Sequence, residues 1–209
     1  MSRIVEIGRR IELVSMDAHY DEISIGLYRE DGPGGATYRV HTYSSKVAAP
    51  ERIEFIKSAM QILGGLETAA SGALRFSCGA AHELGVRRIF LEACKQDPSN
   101  ALDVKPLTLL DRKTGRTITV SGEEGGAYQV AADGAEEGRG GREALVAGGL
   151  ARLGALELQG PDRVAFRCGS GHDGMLGLLL IRAPNVRAVL REQQAAASRG
   201  VLAAPSQQK

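Results

Sequence analysis

Hydrophobic and polar residues alternate along three short segments near the start of the chain, and this pattern predicts β-strands. The predicted strands are Ile11–Met16, Ile23–Tyr28 and Thr37–Tyr43, with turn-forming residues at Asp17–Asp21 and Asp31–Gly35 between them. The hydrophobic spacing then changes to that of a helix that begins near Pro50 and ends at Gly64–Gly65. One face of this helix carries Ile56, Ala59, Met60, Leu63 and Leu66.

The same order of elements recurs in the second part of the chain. Strands are predicted over Leu107–Asp111, Thr117–Ser121 and Ala127–Ala131, and a helix from about Arg142 to Leu156. A shift of 90 residues places Tyr38 on Tyr128 and Phe76-Ser-Cys-Gly-Ala-Ala-His82 on Phe166-Arg-Cys-Gly-Ser-Gly-His172. The hydrophobic face of the first helix then falls on Val146, Gly149, Leu150, Leu153 and Leu156. These matches predict an internal duplication.

Each predicted helix is followed by a strand that ends in the repeated Cys-Gly-x-x-His segment. These strands are Leu74–Cys78 and Val164–Cys168. The next element is ambiguous, because Ala81–Lys95 has a helical apolar face, whereas the three glycines of Gly169–Gly174 would each cost a helix about 1 kcal/mol. The apolar run Leu178–Arg182 is typical of a buried strand, and duplicated halves are expected to fold alike. A strand is therefore predicted here in both halves.

The predicted fold is α+β, a tandem duplication of a β-β-β-α-β-β unit with antiparallel sheets and helices packed on one face. The first repeat spans residues 1–97 and the second 101–197, with Pro98–Asn100 between them. A last amphipathic helix is predicted over Asn185–Ala196, and the tail 198–209 is predicted to be disordered.

Composition narrows the range of partners. Of 209 residues, 43% are hydrophobic and 24% are charged, and the formal net charge is +1. A balanced charge offers no general attraction for polyanions, and 4% aromatic residues provide few platforms for stacked bases. A nucleic-acid partner is therefore disfavoured, although Arg75, Arg87, Arg88 and Arg167 could form a local basic patch.

The compartment is inferred from the N-terminus, the apolar runs and the cysteines. Residues 1–8 carry no apolar signal region, and the longest apolar run, Leu176–Ile181, is far too short to cross a membrane. Three cysteines do not make a disulfide framework. We therefore expect a cytoplasmic protein with reduced thiols and no membrane partner.

The repeated Cys-Gly-x-x-His segment is the main candidate for chemistry. If the two halves are related by a pseudo-two-fold axis, Cys78, His82, Cys168 and His172 could meet and supply the ligands of a tetrahedral zinc site. Their spacing is not that of common zinc motifs, which pair Cys with Cys and His with His. Two alternatives stay open: the cysteines could be small buried hydrophobes at strand ends, or one Cys–His pair could act as a thiol nucleophile with its base.

Two glycine-rich segments are weaker candidates. Gly169-x-Gly171-x-x-Gly174 matches a dinucleotide-binding pattern, but the hairpins around it do not make the parallel βαβ unit that this motif requires. We therefore reject it. Gly138–Arg142 lies between a strand and a helix, where backbone amides with Arg139 and Arg142 could bind an anion. A solvated connector is the competing interpretation.

The sequence does not decide whether the protein is an enzyme. A duplicated α+β unit with neutral charge and no convergent polar motif favours a non-catalytic binding or assembly module, with a protein partner or self-association through exposed sheet edges. The alternative is a zinc-binding protein, or a metal-dependent hydrolase, that uses the paired Cys-x-x-x-His segments.

Overall fold

Two antiparallel sheets, one from each part of the chain, form the framework of the protein. The computed structural model describes residues 10–18, 23–42, 49–102, 104–112, 115–133 and 139–185. The first half contains β1 (Arg10–Ala18), β2 (Ile23–Gly32), β3 (Gly35–Thr42), α1 (Ala49–Gly64), β4 (Glu67–Thr68), β5 (Leu74–Arg75) and α2 (Glu83–Ala93). Its five strands are hydrogen-bonded in the order β1-β2-β3-β5-β4.

The second half repeats this plan element by element. It contains β6 (Thr108–Asp111), β7 (Arg116–Gly122), β8 (Ala127–Ala132), α3 (Arg139–Gly154), β9 (Glu157–Leu158), β10 (Arg163–Ala165) and α4 (Asp173–Leu180). The strand order is β6-β7-β8-β10-β9, the same arrangement as in the first sheet. Short 3₁₀ turns lie at Glu124–Gly126 and Ala183–Asn185.

Strand register confirms the duplication residue by residue. Tyr38 of β3 pairs with Leu74 of β5, and Tyr128 of β8 pairs with Val164 of β10, so both partners keep the offset of 90 residues. The offset is three residues longer between β2 and β7, because only five residues separate Gly122 from Tyr128, whereas eight separate Arg29 from Tyr38. The sequence match therefore begins at Tyr38. The predicted α+β class, with antiparallel sheets and helices on one face, is confirmed.

The strand predicted after each Cys-Gly-x-x-His segment is wrong, since both segments form helices, α2 and α4. In α4 every residue from Met175 to Leu180 is buried, so the helix has no polar face and its sequence resembles a buried strand. Of the three glycines that argued against a helix, Gly169 and Gly171 precede α4, and the third, Gly174, allows close packing within it. A Cβ at Gly174 would lie 2.5 Å from the Leu63 carbonyl oxygen of α1, and one at Gly177 would lie 2.3 Å from that of Lys105.

One hydrophobic core joins the two halves. Helix α4 contacts α1, α2 and α3. The largest fully buried side chains of the core include the aromatic residues Tyr38, Tyr128, Phe76 and Phe90. None of the helices in the described ranges combines the length and apolar character of a membrane span. Of the helix predicted over Asn185–Ala196 only Asn185 lies within the described residues, and the tail 198–209 lies outside them. The repeat boundaries 1–97 and 101–197 stay a prediction.

Candidate metal centre

Both Cys-Gly-x-x-His segments have the same backbone conformation. Each leaves a short strand, β5 or β10, and turns at a glycine whose φ is 71° (Gly79 and Gly169). In each turn the glycine N–H donates to the carbonyl of the preceding phenylalanine, Phe76 or Phe166, at 3.0 Å. A positive φ is easily adopted by glycine and disfavoured for other residues. The turn brings each histidine to the residue just before a helix, so that His82 precedes α2 and His172 precedes α4.

The four side chains of the repeated segments meet at one point. One ligand atom from each of Cys78, His82, Cys168 and His172 lies within 4.8 Å of the other three. The Cys78 Sγ atom is 3.3 Å from His82 Nε2 and 3.5 Å from His172 Nε2, and Cys168 Sγ is 3.2 Å from His172 Nε2. The residues predicted to converge therefore do so, and the Cys78–His172 contact joins the two halves of the chain.

Aromatic rings surround the imidazoles. Phe76 and Phe166 each contact both histidines edge-on, with ring centroids between 4.9 and 5.5 Å apart. The two imidazoles are themselves 4.4 Å apart. His172 is 6% exposed, whereas the other three members of the cluster are half-buried. The cluster thus lies at the edge of the core, in a largely apolar setting.

Hydrogen bonds from Tyr128 hold the second segment in place. The hydroxyl of this buried residue accepts a hydrogen bond from the His172 backbone N–H at 2.7 Å and donates one to Asp173 Oδ1 at 2.6 Å. A Cβ at Gly171 would lie 2.9 Å from the same hydroxyl oxygen, so the glycine allows the close approach. The Ser170 N–H also points to Cys168 Sγ, at 3.4 Å.

The first segment is held differently. Tyr38 occupies the position equivalent to Tyr128 and is fully buried, and its hydroxyl faces the His82 backbone without a hydrogen bond of normal geometry. Burial raises the pKa of Tyr38 to about 12. Here an ion pair between Arg29 of β2 and Glu83 anchors the start of α2. Sequence reasoning missed both anchors. The repeated tyrosine was the signal that could have revealed the role of Tyr128. Arg29 gave no such signal, because the second half has no arginine at the equivalent position.

Burial favours the neutral forms of the cluster in the absence of an ion. It lowers the pKa of His172 to about 4, helped by the neighbouring His82 imidazole and opposed by Asp173. Burial likewise lowers the pKa of His82 and raises that of the Cys78 thiol. These shifts are opposite in sign to those that create a thiolate–imidazolium pair, so they argue against Cys78 as an activated nucleophile.

The other predicted site residues lie elsewhere. Arg142 forms an ion pair with the buried Asp111, and its first-half equivalent, Arg52, donates to the Cys94 and Gln96 carbonyls at 2.9 and 3.2 Å. Arg139 begins α3. An anion-binding role for Arg139 and Arg142 stays a prediction.

Comparisons of the chain with models of protein families, with curated proteins and with solved structures find no match.

Proposed function

We propose that this chain is a zinc-binding protein in which one Cys₂His₂ site joins the two halves of a duplicated α+β fold. The observation that carries the proposal is the convergence of four ligand atoms within 4.8 Å, one cysteine and one histidine from each half. Thiolate and imidazole in equal numbers are typical of tetrahedral zinc sites. A packing role alone would not require the polar ends of all four side chains to point at one another.

The distances support a single ion. With Zn–S bonds of about 2.3 Å and Zn–N bonds of about 2.0 Å, the edge between a sulfur and a nitrogen of a regular tetrahedron is about 3.5 Å. The three Sγ–Nε2 distances of the cluster are 3.2, 3.3 and 3.5 Å. Along these edges, shifts of the ligand atoms by a few tenths of an ångström would therefore suffice to admit the ion.

The number of ligands favours a structural site over a hydrolytic one. A catalytic zinc keeps a coordination position for water, and three protein ligands are its usual complement. Four side chains from this protein fill a tetrahedron, which supports a non-catalytic role and disfavours the metal-dependent hydrolase that the sequence left open.

A two-iron cluster is a poorer match for the same residues. When two cysteines and two histidines hold such a cluster, the cysteines bind one iron and the histidines the other. In this protein each histidine Nε2 instead contacts a cysteine Sγ of its own segment. Mixed pairs at such short distances fit a single ion.

In this proposal the zinc ion stabilises the pairing of the halves and so supports whatever surface the protein presents. Binding of a protein partner, or self-association, stays a prediction from the sequence. A strand added by a partner or by a second copy would pair with β1 or β6, each of which lies at one end of its sheet.

The experiment is a metal analysis of freshly purified protein and of three cysteine variants. We expect one zinc per chain in the wild type and its loss in Cys78→Ser and in Cys168→Ser. Cys94→Ser is the matched control, because Cys94 is buried at the end of α2, where its carbonyl accepts a hydrogen bond from Arg52, and it is not a member of the cluster. Cobalt substitution would report the ligands, since a tetrahedral S₂N₂ site gives intense visible absorption. Absence of any metal from the wild type after reconstitution with zinc would overturn the proposal.

A further inference from the structure

The duplication is broken at one pair of positions beside the metal centre. Gly174, in the first turn of α4, packs against the Leu63 carbonyl so closely that a Cβ would lie 2.5 Å from the oxygen. The equivalent residue in the first turn of α2 is Leu84, and its side chain is 43% exposed. A leucine cannot make the approach that the glycine makes. The start of α4 therefore packs closely against the end of α1 on one side of the centre, whereas the start of α2 makes no equivalent approach on the other side.

A cleft occupies the other side. Its volume is about 320 Å³, and its lining includes Leu84, Gly154, His82 and Cys168. Cys78 is half-buried like Cys168 but does not belong to the lining of this cleft. Of the two cysteines in the cluster, the cleft thus gives small molecules from solvent access to Cys168.

We propose that Cys168 is a site of oxidation by hydroperoxides and that Cys78 is its resolving thiol. The proposal rests on the zinc site for its consequence, which is release of the ion, but the thiol chemistry needs only the two cysteines. Oxidation of a thiol by a peroxide requires access to its sulfur, and a second thiol nearby converts the product to a disulfide. Cys168 combines the cleft with a second sulfur within 4.8 Å.

The reaction has two balanced steps. The Cys168 thiolate attacks one oxygen of hydrogen peroxide, the O–O bond breaks, and the other oxygen leaves as hydroxide, which takes a proton to become water. The product is a sulfenic acid. The Cys78 sulfur then attacks the Cys168 sulfur, the S–O bond breaks, and the oxygen leaves as hydroxide. The hydroxide becomes a second water by taking the Cys78 thiol proton in the zinc-free form and a proton from solvent in the loaded form. One peroxide is reduced, two thiols are oxidised to one disulfide, and the ion loses both sulfur ligands.

The position of Cys78 suits the second step. Its Sγ atom lies within 4.8 Å of Cys168 Sγ, and both cysteines are free in this structure. Rotation of the two side chains toward each other can reach the disulfide bond length of about 2.05 Å. Cys94, the third cysteine, is 2% exposed and lies in the core, so it is expected to remain reduced.

The experiment treats zinc-loaded and zinc-free protein with hydrogen peroxide and follows three quantities. These are free thiols counted after denaturation, zinc captured by a chromogenic chelator, and disulfides located by peptide mass spectrometry. In both forms we expect the thiol count to fall from three to one, with a Cys78–Cys168 disulfide and a free Cys94. In the loaded form one zinc is released per disulfide, and dithiothreitol restores binding.

Variants test the order of attack. In zinc-free Cys78→Ser protein, the sulfenic acid is expected to accumulate on Cys168, where dimedone traps it. In zinc-free Cys168→Ser protein, Cys78 is expected to react several-fold more slowly, and Cys94→Ser is expected to behave as the wild type.

The outcomes separate this inference from the proposed function. Failure of the wild type to bind zinc, with the disulfide still formed, would overturn the zinc site alone. Normal zinc binding without the Cys78–Cys168 disulfide, or Cys78 reacting as fast as Cys168, would overturn the oxidation proposal alone.

Discussion

The Tyr128 hydroxyl and the His172 backbone amide are joined by a hydrogen bond of 2.7 Å across 44 residues of sequence. The bond fixes the backbone of a proposed ligand rather than its imidazole, and it does so from the second residue of strand β8. The hydroxyl also donates to Asp173, so its orientation is set from both sides. The tyrosine thereby connects the sheet, the turn and the first residue of α4.

Replacing Tyr128 with phenylalanine is expected to weaken zinc binding about 10- to 100-fold, the usual effect of losing a residue that positions a metal ligand. Tyr38→Phe is the comparison, because the Tyr38 hydroxyl makes no hydrogen bond of normal geometry. Competition with a chromogenic chelator measures both affinities, and the cobalt spectrum reports any change in ligand geometry. Unchanged zinc affinity in Tyr128→Phe would show that packing of the ring, which phenylalanine keeps, rather than the hydroxyl positions the site.

The zinc-free protein is expected to lose stability as the pH falls from neutrality toward 4. The pKa of His172 is about 4 in the folded protein and 6.5 in its ordinary state, so between these values the unfolded chain binds more protons and acid favours unfolding. At pH 4.5 this single group lowers the free energy of unfolding by about 2–3 kcal/mol relative to pH 7. Urea denaturation at both pH values measures the effect.

His172→Gln is the control for this pH dependence, because glutamine does not titrate. The difference between wild type and variant removes the contribution of carboxylates elsewhere. A variant that loses as much stability as the wild type over this pH range would contradict the assignment. Because His82 also has a lowered pKa, some acid sensitivity is expected to remain in the variant.

Two helical glycines are expected to respond oppositely to the same substitution. Gly174→Ala places a methyl group 2.5 Å from a backbone oxygen of α1, and overpacking of this kind costs about 1–3 kcal/mol. A Cβ at Gly148 of α3 meets no atom within 4 Å, so Gly148→Ala is expected to stabilise the protein by up to about 1 kcal/mol through helix propensity. Free energies of unfolding in denaturant test both signs. Stabilisation by Gly174→Ala would contradict the close packing of α4 on α1.

The buried ion pair between Asp111 and Arg142 is expected to matter more than a surface pair. Asp111 is 4% exposed, so Asp111→Asn leaves a largely buried guanidinium without its carboxylate, at a cost of about 3–5 kcal/mol. Glu67→Gln is the comparison, because Glu67 and Arg75 are 3.8 Å apart and both are exposed. Its expected cost is below about 1 kcal/mol. Similar losses in the two variants would show that Arg142 does not depend on Asp111.

The parts of the fold that could be predicted are those with a clear local pattern. The three long strands of each half and the helices α1 and α3 follow from alternation and from helical spacing, and the duplication follows from matched residues. The convergence of the four ligands depended on assuming a pseudo-two-fold axis. Strands β4 and β9 have two residues each, too few for any pattern.

The errors and omissions have tertiary causes. The identity of α4 is decided by the end of α1, which packs against Gly174, and by the segment at Lys105, which packs against Gly177. This packing offsets the unfavourable helix propensity of the glycines. The role of Tyr128 depends on a partner 44 residues away. The cleft depends on the absence of a close contact at Leu84, which only the position of the opposite helix end reveals.

The division of the ligands between the halves sets an order of events during synthesis. The first Cys–His pair emerges from the ribosome 90 residues before the second, and until His172 has followed it the nascent chain presents two of four ligands. Tight uptake of the proposed ion therefore has to wait until His172 has been synthesised. A chain that stops between the two segments cannot close the proposed tetrahedron, so occupancy of the site would distinguish such a product from a chain that carries both segments.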